Sequence, residues 1–257
     1  MSGSGERWRG TLAGFVAGLA GGLFGVGGGI LLVPMLTGWF ALSQHQAHGT
    51  SLAAIGATAI AGMAVYAAHG HVDWVTGAIM AVSSMLCARF GAMLAARTSR
   101  TALARAFAIF LVLVAARLLW KSPEGAGAPV LAGATGALVA LAVGAAVGLL
   151  AGFMGVGGGI LAVPALALLF GASQQTAQGT SLALILVTAP VGAIEHHRHG
   201  NVALRLVPWL ALGALLGAPL ASSLAVRLPQ AVLARGFALF LLANAAHTWI
   251  RASRAAR

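Results

Sequence analysis

The chain has 257 residues, of which 60% are hydrophobic and only 7% are charged, and its mean hydropathy is +0.94. Soluble domains carry roughly a quarter charged residues, so this composition excludes a soluble protein and predicts an all-α integral membrane protein. The net charge of +11 does not point to nucleic acid, because most arginines stand at the ends of apolar runs, where they anchor a chain beside anionic lipid. The lipid bilayer is the expected partner.

Four apolar segments follow a short polar leader, residues 1–10. The first segment, 11–42, is interrupted by glycines, and the other three cover 52–68, 74–96 and 102–120. Each part of the interrupted segment is shorter than the ~20 residues of a straight span. It is therefore either one long helix broken in the middle or a helical hairpin. No cleavage pattern of a signal peptide follows the leader, so we expect the first segment to be retained.

The second half of the chain repeats this plan after a linker, KSPEGAGAP, at 121–129. The offset is constant, since 155 − 25 = 130, and 20 of 32 residues are identical when 22–53 is set against 152–183. We predict two tandem homologous repeats, 11–120 and 130–250, each of four apolar segments, which gives about eight transmembrane helices. A basic tail, 251–257, ends the chain.

The orientation of the two repeats depends on the broken segment. A single crossing makes the halves parallel and a hairpin makes them inverted, and the sequence leaves both open. Either arrangement puts the arginines of the tail on the same side as Arg7 and Arg9. By the positive-inside rule both termini are predicted to be cytoplasmic in a protein of the cell membrane.

The motif GVGGGIL occurs at 25–31 and again, letter for letter, at 155–161. Irregular backbone inside a membrane is tolerated around a cavity or a buried site. Glycines permit positive φ, and the free N–H groups of the helix that restarts after them favour an anion. The alternative is that they only allow tight helix crossing. We predict a substrate site containing Gly25, Gly27, Gly28, Gly29, Gly155, Gly157, Gly158 and Gly159.

A second shared patch reads SQHQAHGTSLA at 43–53 and SQQTAQGTSLA at 173–183. Its hydroxyls are predicted at the start of a helix, where they would cap it or bind an oxyanion, and its glutamines are neutral donors. His48 stands opposite Gln178, which makes it a candidate for proton coupling, the alternative being an interfacial histidine. The patch adds Gln44, Thr50, Ser51, Gln174, Thr180 and Ser181 to the predicted site.

Neither a metal site nor an enzyme is predicted. The cluster EHHRHG at 195–200 resembles metal ligands, but the corresponding first-half residues, VYAAHG at 65–70, share only its last two letters. No apolar segment carries paired carboxylates, and the His-Glu-x-x-His and Gly-x-Ser-x-Gly patterns are missing from the sequence. No cofactor is expected.

The combination of GLAGGLFGVGGGILLVP at 18–34 with GTSL some twenty residues later, both repeated after the linker, resembles the TauE/SafE sulfite exporter family of membrane permeases. The resemblance implies a duplicated four-segment unit and a secondary carrier of small sulfur-containing anions such as sulfite or organosulfonates. The family motifs would fall on 25–29, Pro34, 49–51, 155–159, Pro164 and 179–181. An anion channel and a non-transporting scaffold are the alternatives. The anion, the direction and the coupling ion stay open, and a homo-oligomer is compatible with the sequence.

Overall fold

The computed structural model describes residues 3–95, 100–120, 133–154 and 157–254. Regular structure within these ranges is entirely α-helical, and the predicted linker, 121–129, lies outside them. The described helices are, in chain order, α1 (Gly3–Phe24), α2 (Gly29–Trp39), α3 (Gln44–Ala68), α4 (Trp74–Ala95), α5 (Arg100–Trp120), α6 (Gly133–Met154), α7 (Gly159–Leu169), α8 (Gln174–Arg198), α9 (Val207–Ala225) and α10 (Gln230–Arg254).

Each interrupted segment consists of two helices joined at the glycine break. Gly28, just before α2, packs against the carbonyl of Ala17, which lies 24 − 17 = 7 residues before the end of α1. Gly158 packs in the same way against Val147 of α6. The residue before each short helix therefore lies beside the helix that precedes the break, and the choice between a hairpin and a single interrupted crossing stays open. With 11 residues each, α2 and α7 are about 16 Å long, too short for a ~30 Å hydrocarbon core.

Six helices of the described ranges are long and apolar enough to cross a membrane, and this agrees with an integral membrane protein. The sequence prediction of about eight crossings stays a prediction. The apolar helices of 10–17 residues are α2, α7 and the stretch Ala108–Trp120 of α5, and the six candidate spans are Gln44–Ala68, Trp74–Gly91, Gly133–Gly152, Gln174–Arg198, Val207–Ala225 and Gln230–Ile250.

The predicted polar leader is part of the folded structure from Gly3 onward, because α1 begins there. The Arg7 guanidinium lies 5.1 Å from the centre of the Trp209 ring. A carboxylate oxygen of Glu6 lies 3.2 Å from Nε of Arg205. Both contacts tie the start of α1 to the start of α9. The predicted tail is likewise helical as far as Arg254, the end of α10.

The two halves of the chain interleave. The most extensive helix pairs are α1 with α9, α4 with α6, α3 with α8 and α5 with α10, and each joins a helix of one half to a helix of the other. Glycines on α1 and α6 allow two of these pairs to approach at backbone distance, as small residues do between membrane helices. The close contacts are Gly14, Gly18 and Gly22 with Leu210, Ala214 and Ala218 of α9, and Gly144 and Gly148 with Met80 and Ser84 of α4.

Candidate functional site

The two glycine breaks have the same backbone geometry where the structure describes them. Gly27 and Gly28 have φ of 72° and 80°, and Gly157 and Gly158 have φ of 78° and 77°. L-residues rarely adopt this left-handed region, which glycine enters without a steric penalty. Gly155 lies outside the described residues. The break in the first half also contains Gly25, with φ of 70°.

The two breaks meet in the middle of the molecule. A Cβ added to Gly159 would lie 2.7 Å from Cα of Val26 and 2.8 Å from the carbonyl oxygen of Gly25. The side chains of Ile55 on α3 and Ile185 on α8 line the turns of both breaks. The structure thus brings together Gly25, Gly27, Gly157 and Gly159, whereas Gly28 and Gly158 face α1 and α6.

Short helices start at both breaks, and their first N–H groups have no intrahelical acceptor. The earliest intrahelical bonds run from the N–H groups of Leu31 and Leu32 to the carbonyl of Gly28, both at 3.1 Å, and the equivalent bonds of α7 run to the carbonyl of Gly158. The N–H groups before them have no acceptor within their own helix, and the helix dipole gives this end a partial positive charge. Helix starts of this kind favour negative charge in general, and the two breaks bring two of them close together.

A buried cross-half contact lies beside the first break. The hydroxyl of Tyr66 lies 2.9 Å from the carbonyl oxygen of Gly22 and 2.9 Å from Oε1 of Gln178. Nε2 of Gln178 has no partner in the described structure. The Tyr66 hydroxyl has one proton and can donate it to only one of these two oxygens. If the Gln178 amide is rotated by 180°, the hydroxyl donates to the Gly22 carbonyl, the amide NH₂ donates to the hydroxyl, and the amide oxygen has no partner. Either way, one atom of the Gln178 amide is buried without a partner.

One turn earlier on the same face of α8, Gln174 is completely buried, and neither amide atom has a hydrogen-bond partner within the described ranges. The hydroxyl of Ser51 is also buried without one. An unpaired buried polar group costs about 1–3 kcal/mol, and among these three residues Gln178 lies directly against Gly25 of the first break. Their neutral donors and acceptors suit a polar ligand.

The four predicted hydroxyls have different surroundings. Oγ1 of Thr50 accepts the backbone N–H of Ala203 at 2.9 Å, and Oγ1 of Thr180 accepts that of Asp73 at 2.8 Å. Ser181 donates to the carbonyl of Gly25 at 2.7 Å. Ser181 therefore touches the first break directly, while the two threonine oxygens are occupied by backbone N–H groups of the opposite half.

The prediction that Gly-Thr-Ser begins a helix is wrong. The capping residues are Ser43 and Ser173, whose hydroxyls accept the backbone N–H groups of Gln46 at 3.3 Å and Thr176 at 3.1 Å. The helices start there because a serine followed by a polar first turn satisfies the free N–H groups. Thr50 and its counterpart in α8 consequently lie in the second turn.

Gln44 is not brought together with the other predicted residues. It is exposed, and its amide lies 2.9 Å from Nε2 of His48. Its counterpart in the second half, Gln174, is buried. The two copies of the motif thus have different environments. His48 belongs to the first copy, which is the more exposed of the two.

The cluster at 195–200 forms contacts near the end of α8. Glu195 lies 3.7 Å from Arg198 and 3.9 Å from His199. In the described part of the chain, no group of three or more metal-binding side chains is arranged to hold an ion.

Sequence reasoning missed Tyr66 and Gln178 as site residues. Tyr66 is the only tyrosine of the chain, and a single buried polar aromatic in a membrane segment was a signal that could have been followed. Gln178 was considered only as the residue opposite His48. Their contact joins residues 112 positions apart, so local pattern could not reveal it.

Comparison with known proteins gives a family model described as Sulfite exporter TauE/SafE, which matches residues 10–248. Among curated relatives, the probable membrane transporter protein YunE of Bacillus subtilis is 31% identical over 235 residues, covering 81% of this chain and 86% of that protein. A probable membrane transporter protein of Xylella fastidiosa is 31% identical over 245 residues, covering 92% and 90%. No solved structure matches the chain.

Proposed function

Because the chain belongs to the Sulfite exporter TauE/SafE family, whose relatives above are named probable membrane transporters, we propose that it is a secondary transporter of a small anion. The favoured substrates are sulfite, an organosulfonate or a related sulfur-containing anion. The observation that carries the proposal is the meeting of two helix starts at the glycine breaks, beside buried polar groups without partners. In a helix crossing with only a structural role, buried amides without hydrogen-bond partners would lower the stability and give nothing in return.

The chemistry around the breaks favours an anion over a cation. The chain has four acidic residues, none within the two glycine motifs, and a single lysine, Lys121, in the linker. Carboxylates, which commonly pair with a buried cation, are missing from the two motifs, whereas an oxyanion is satisfied by N–H and O–H donors without a buried countercharge. The proposed ligands are the glycine breaks, including Gly155, with Ser51, Ser181, Gln174 and Gln178.

Three residues of the predicted set have weaker support. Thr50 and Thr180 keep a hydroxyl proton for the substrate, although their oxygens already accept backbone N–H groups. Gln44 is exposed, so it belongs to the site only if a conformational change buries it as Gln174 is buried. His48 stays the proposed proton-coupling residue, because it is half-buried at the more open end of α3 and a histidine changes charge near neutral pH.

Sulfite flux in proteoliposomes tests the function. A carrier coupled to protons is expected to accumulate sulfite against its gradient when a proton gradient is imposed, whereas a channel only equilibrates it. A scaffold gives no flux above empty liposomes. Accumulation without any response to the proton gradient would remove the role given to His48.

Gln174→Leu tests the site. Loss of one buried hydrogen bond to an anion costs about 1–3 kcal/mol, so sulfite affinity is expected to fall roughly 5–150-fold. Gln175→Leu is the matched control, because the Gln175 amide donates to the carbonyl of Leu228 at 3.0 Å and is already engaged. Equal affinity in the two variants would remove Gln174 from the site.

A further inference from the structure

Each half of the chain delivers one helix to the other half. After α3 the chain passes through residues 69–73 into α4, which packs on α6 and α8. After α8 it passes through 199–206 into α9, which packs on α1 and α3. Two groups result, α1, α2, α3 and α9 on one side and α4, α6, α7 and α8 on the other. We call them the first and second mixed units.

The incoming loop before α4 is received by Gly179 and Thr180. Oγ1 of Thr180 accepts the N–H of Asp73 at 2.8 Å. A Cβ on Gly179 would collide with the carbonyl oxygen of His71. Both residue types suit the loop, since one supplies an acceptor and the other leaves room for a carbonyl.

The loop before α9 is received in the same way by Gly49 and Thr50. Oγ1 of Thr50 accepts the N–H of Ala203 at 2.9 Å, and a Cβ on Gly49 would collide with the carbonyl oxygen of Asn201. Each contact is displaced by the same interval from its counterpart, because 203 − 73 = 130 and 201 − 71 = 130. The same pair of residue types therefore receives the equivalent loop in each repeat.

The long helix pairs inside and between the units differ in how they pack, although the glycine breaks touch across the units at backbone distance, Gly159 against Val26 and Gly25 against Gln178. Within the first unit, Gly14 of α1 packs directly on the carbonyl of Leu210 in α9, backbone against backbone. Between the units, α3 and α8 touch through side chains. Leu52 meets Gly192 at 3.0 Å, and Leu182 meets Gly62 at 2.8 Å. Interlocked backbones resist sliding, whereas flexible leucines can repack.

We propose that Gly49-Thr50 and Gly179-Thr180 are positioning residues that seat an exchanged helix, and that the two mixed units, not the two halves of the sequence, move against each other during transport. The site at the glycine breaks then lies between the units, since Gly25 of the first packs on Gln178 of the second. The movement of the units rests on the proposed transport function, whereas the positioning role of the Gly-Thr pairs does not.

The contact of Gly179 and Thr180 with the loop before α4, which we call the seat, is tested first without any substrate. Serine keeps the accepting oxygen of Thr180 and valine removes it. In a Cys87→Ser background with Val72→Cys as a reporter in the loop, Thr180→Val is expected to raise the rate of maleimide labelling at least threefold and to lower the melting temperature by about 2–4 °C. Thr180→Ser is expected to behave like the parent. Labelling equally slow in the valine variant, or a fall in sulfite affinity without faster labelling, overturns the positioning role.

The units are tested by cross-linking. A Cβ on Gly10 would lie 3.0 Å from Cβ of Trp209, close to the ~3.5–4.5 Å of a disulfide, so Gly10→Cys with Trp209→Cys joins α1 to α9 inside one unit. Leu52→Cys with Gly192→Cys, joined by a short thiol-reactive linker, connects the two units. Oxidation of the first pair is expected to leave sulfite flux within twofold, and linkage of the second to lower it at least tenfold.

The opposite ranking of the two cross-links refutes the mixed units, and so does full flux with the units joined. A cysteine-free parent that moves no sulfite counts against the proposed function instead. In that case the labelling and melting of the Thr180 variants still decide whether the seat exists.

Discussion

Tyr66→Phe removes one oxygen from the centre of the molecule, and its cost can be worked out from the contacts. The hydroxyl meets Gly22 and Gln178, each at 2.9 Å, in a completely buried position. After the substitution, the Gly22 carbonyl oxygen still accepts the Ser222 hydroxyl at 3.2 Å. Loss of the Tyr66 hydrogen bond to this carbonyl therefore costs only about 0.5–1.5 kcal/mol. The Gln178 amide would be left with neither atom paired, which costs about 1–3 kcal/mol.

The sum of these two contributions, about 1.5–4.5 kcal/mol, corresponds to a fall in melting temperature of roughly 3–18 °C for a chain of this size. Thermal unfolding of the detergent-purified protein measures it. Thr37→Val is the matched control, because that hydroxyl bonds only carbonyls of its own helix, Val33 and Pro34 at 3.1 Å. It is expected to change stability by less than about 0.5 kcal/mol.

A double-mutant cycle with Gln178→Met separates the contact from the cavity. If the orphaned amide causes the loss, Tyr66→Phe costs less once the amide is gone, with a coupling energy of about 0.5–3 kcal/mol. Strictly additive effects, or a Tyr66→Phe protein that melts with the parent, would refute the reasoning.

Three further predictions concern glycines and the linker. Gly14→Ala places a methyl group against the backbone of α9 and is expected to cost about 1–3 kcal/mol, whereas Gly56→Ala, which meets nothing within 4 Å, is expected to gain about 0.5–1 kcal/mol from helix propensity; equal melting temperatures would contradict the packing. Gly28→Ala combines a φ of 80° with a collision against α1, so it is expected to destabilise the fold more than Gly200→Ala, which has a φ of 70° and open space; thermal unfolding compares them. Insertion of a few Gly/Ser residues in 121–129 is expected to leave folding intact, as judged by a monodisperse gel-filtration profile, and aggregation would count against two separate halves.

The helical class, the breaks and the membrane environment were accessible from the sequence because each has a local cause. Runs of apolar residues specify helices in lipid, and a cluster of glycines specifies an interruption. The start of α3 was misjudged because the stretch from Gln44 to Ser51 is polar and resembles a loop. Its N–H groups are nevertheless satisfied by the cap at Ser43, so the helix extends through it.

The candidate site was only partly accessible. The glycines could be found by comparing the chain with itself. The contact between Tyr66 and Gln178, and the use of the threonine oxygens by loops more than 100 residues away, depend on how the halves interleave. No local pattern encodes which helix of one half enters the other, so partners at this distance require the tertiary structure.

The pairing of α1 with α9 has a consequence for biosynthesis. The surface of α1 that carries Gly14, Gly18 and Gly22 is complementary to a helix that begins at Val207. While the chain is being made, α1 enters the bilayer long before its partner exists, and its groove faces lipid or a transient neighbour until then. Membrane insertion and assembly are thus separate events, and the last large helix pairs can form only when translation is nearly complete. Release of the chain after α8 would leave α1 without its partner and expose a site for association with another copy.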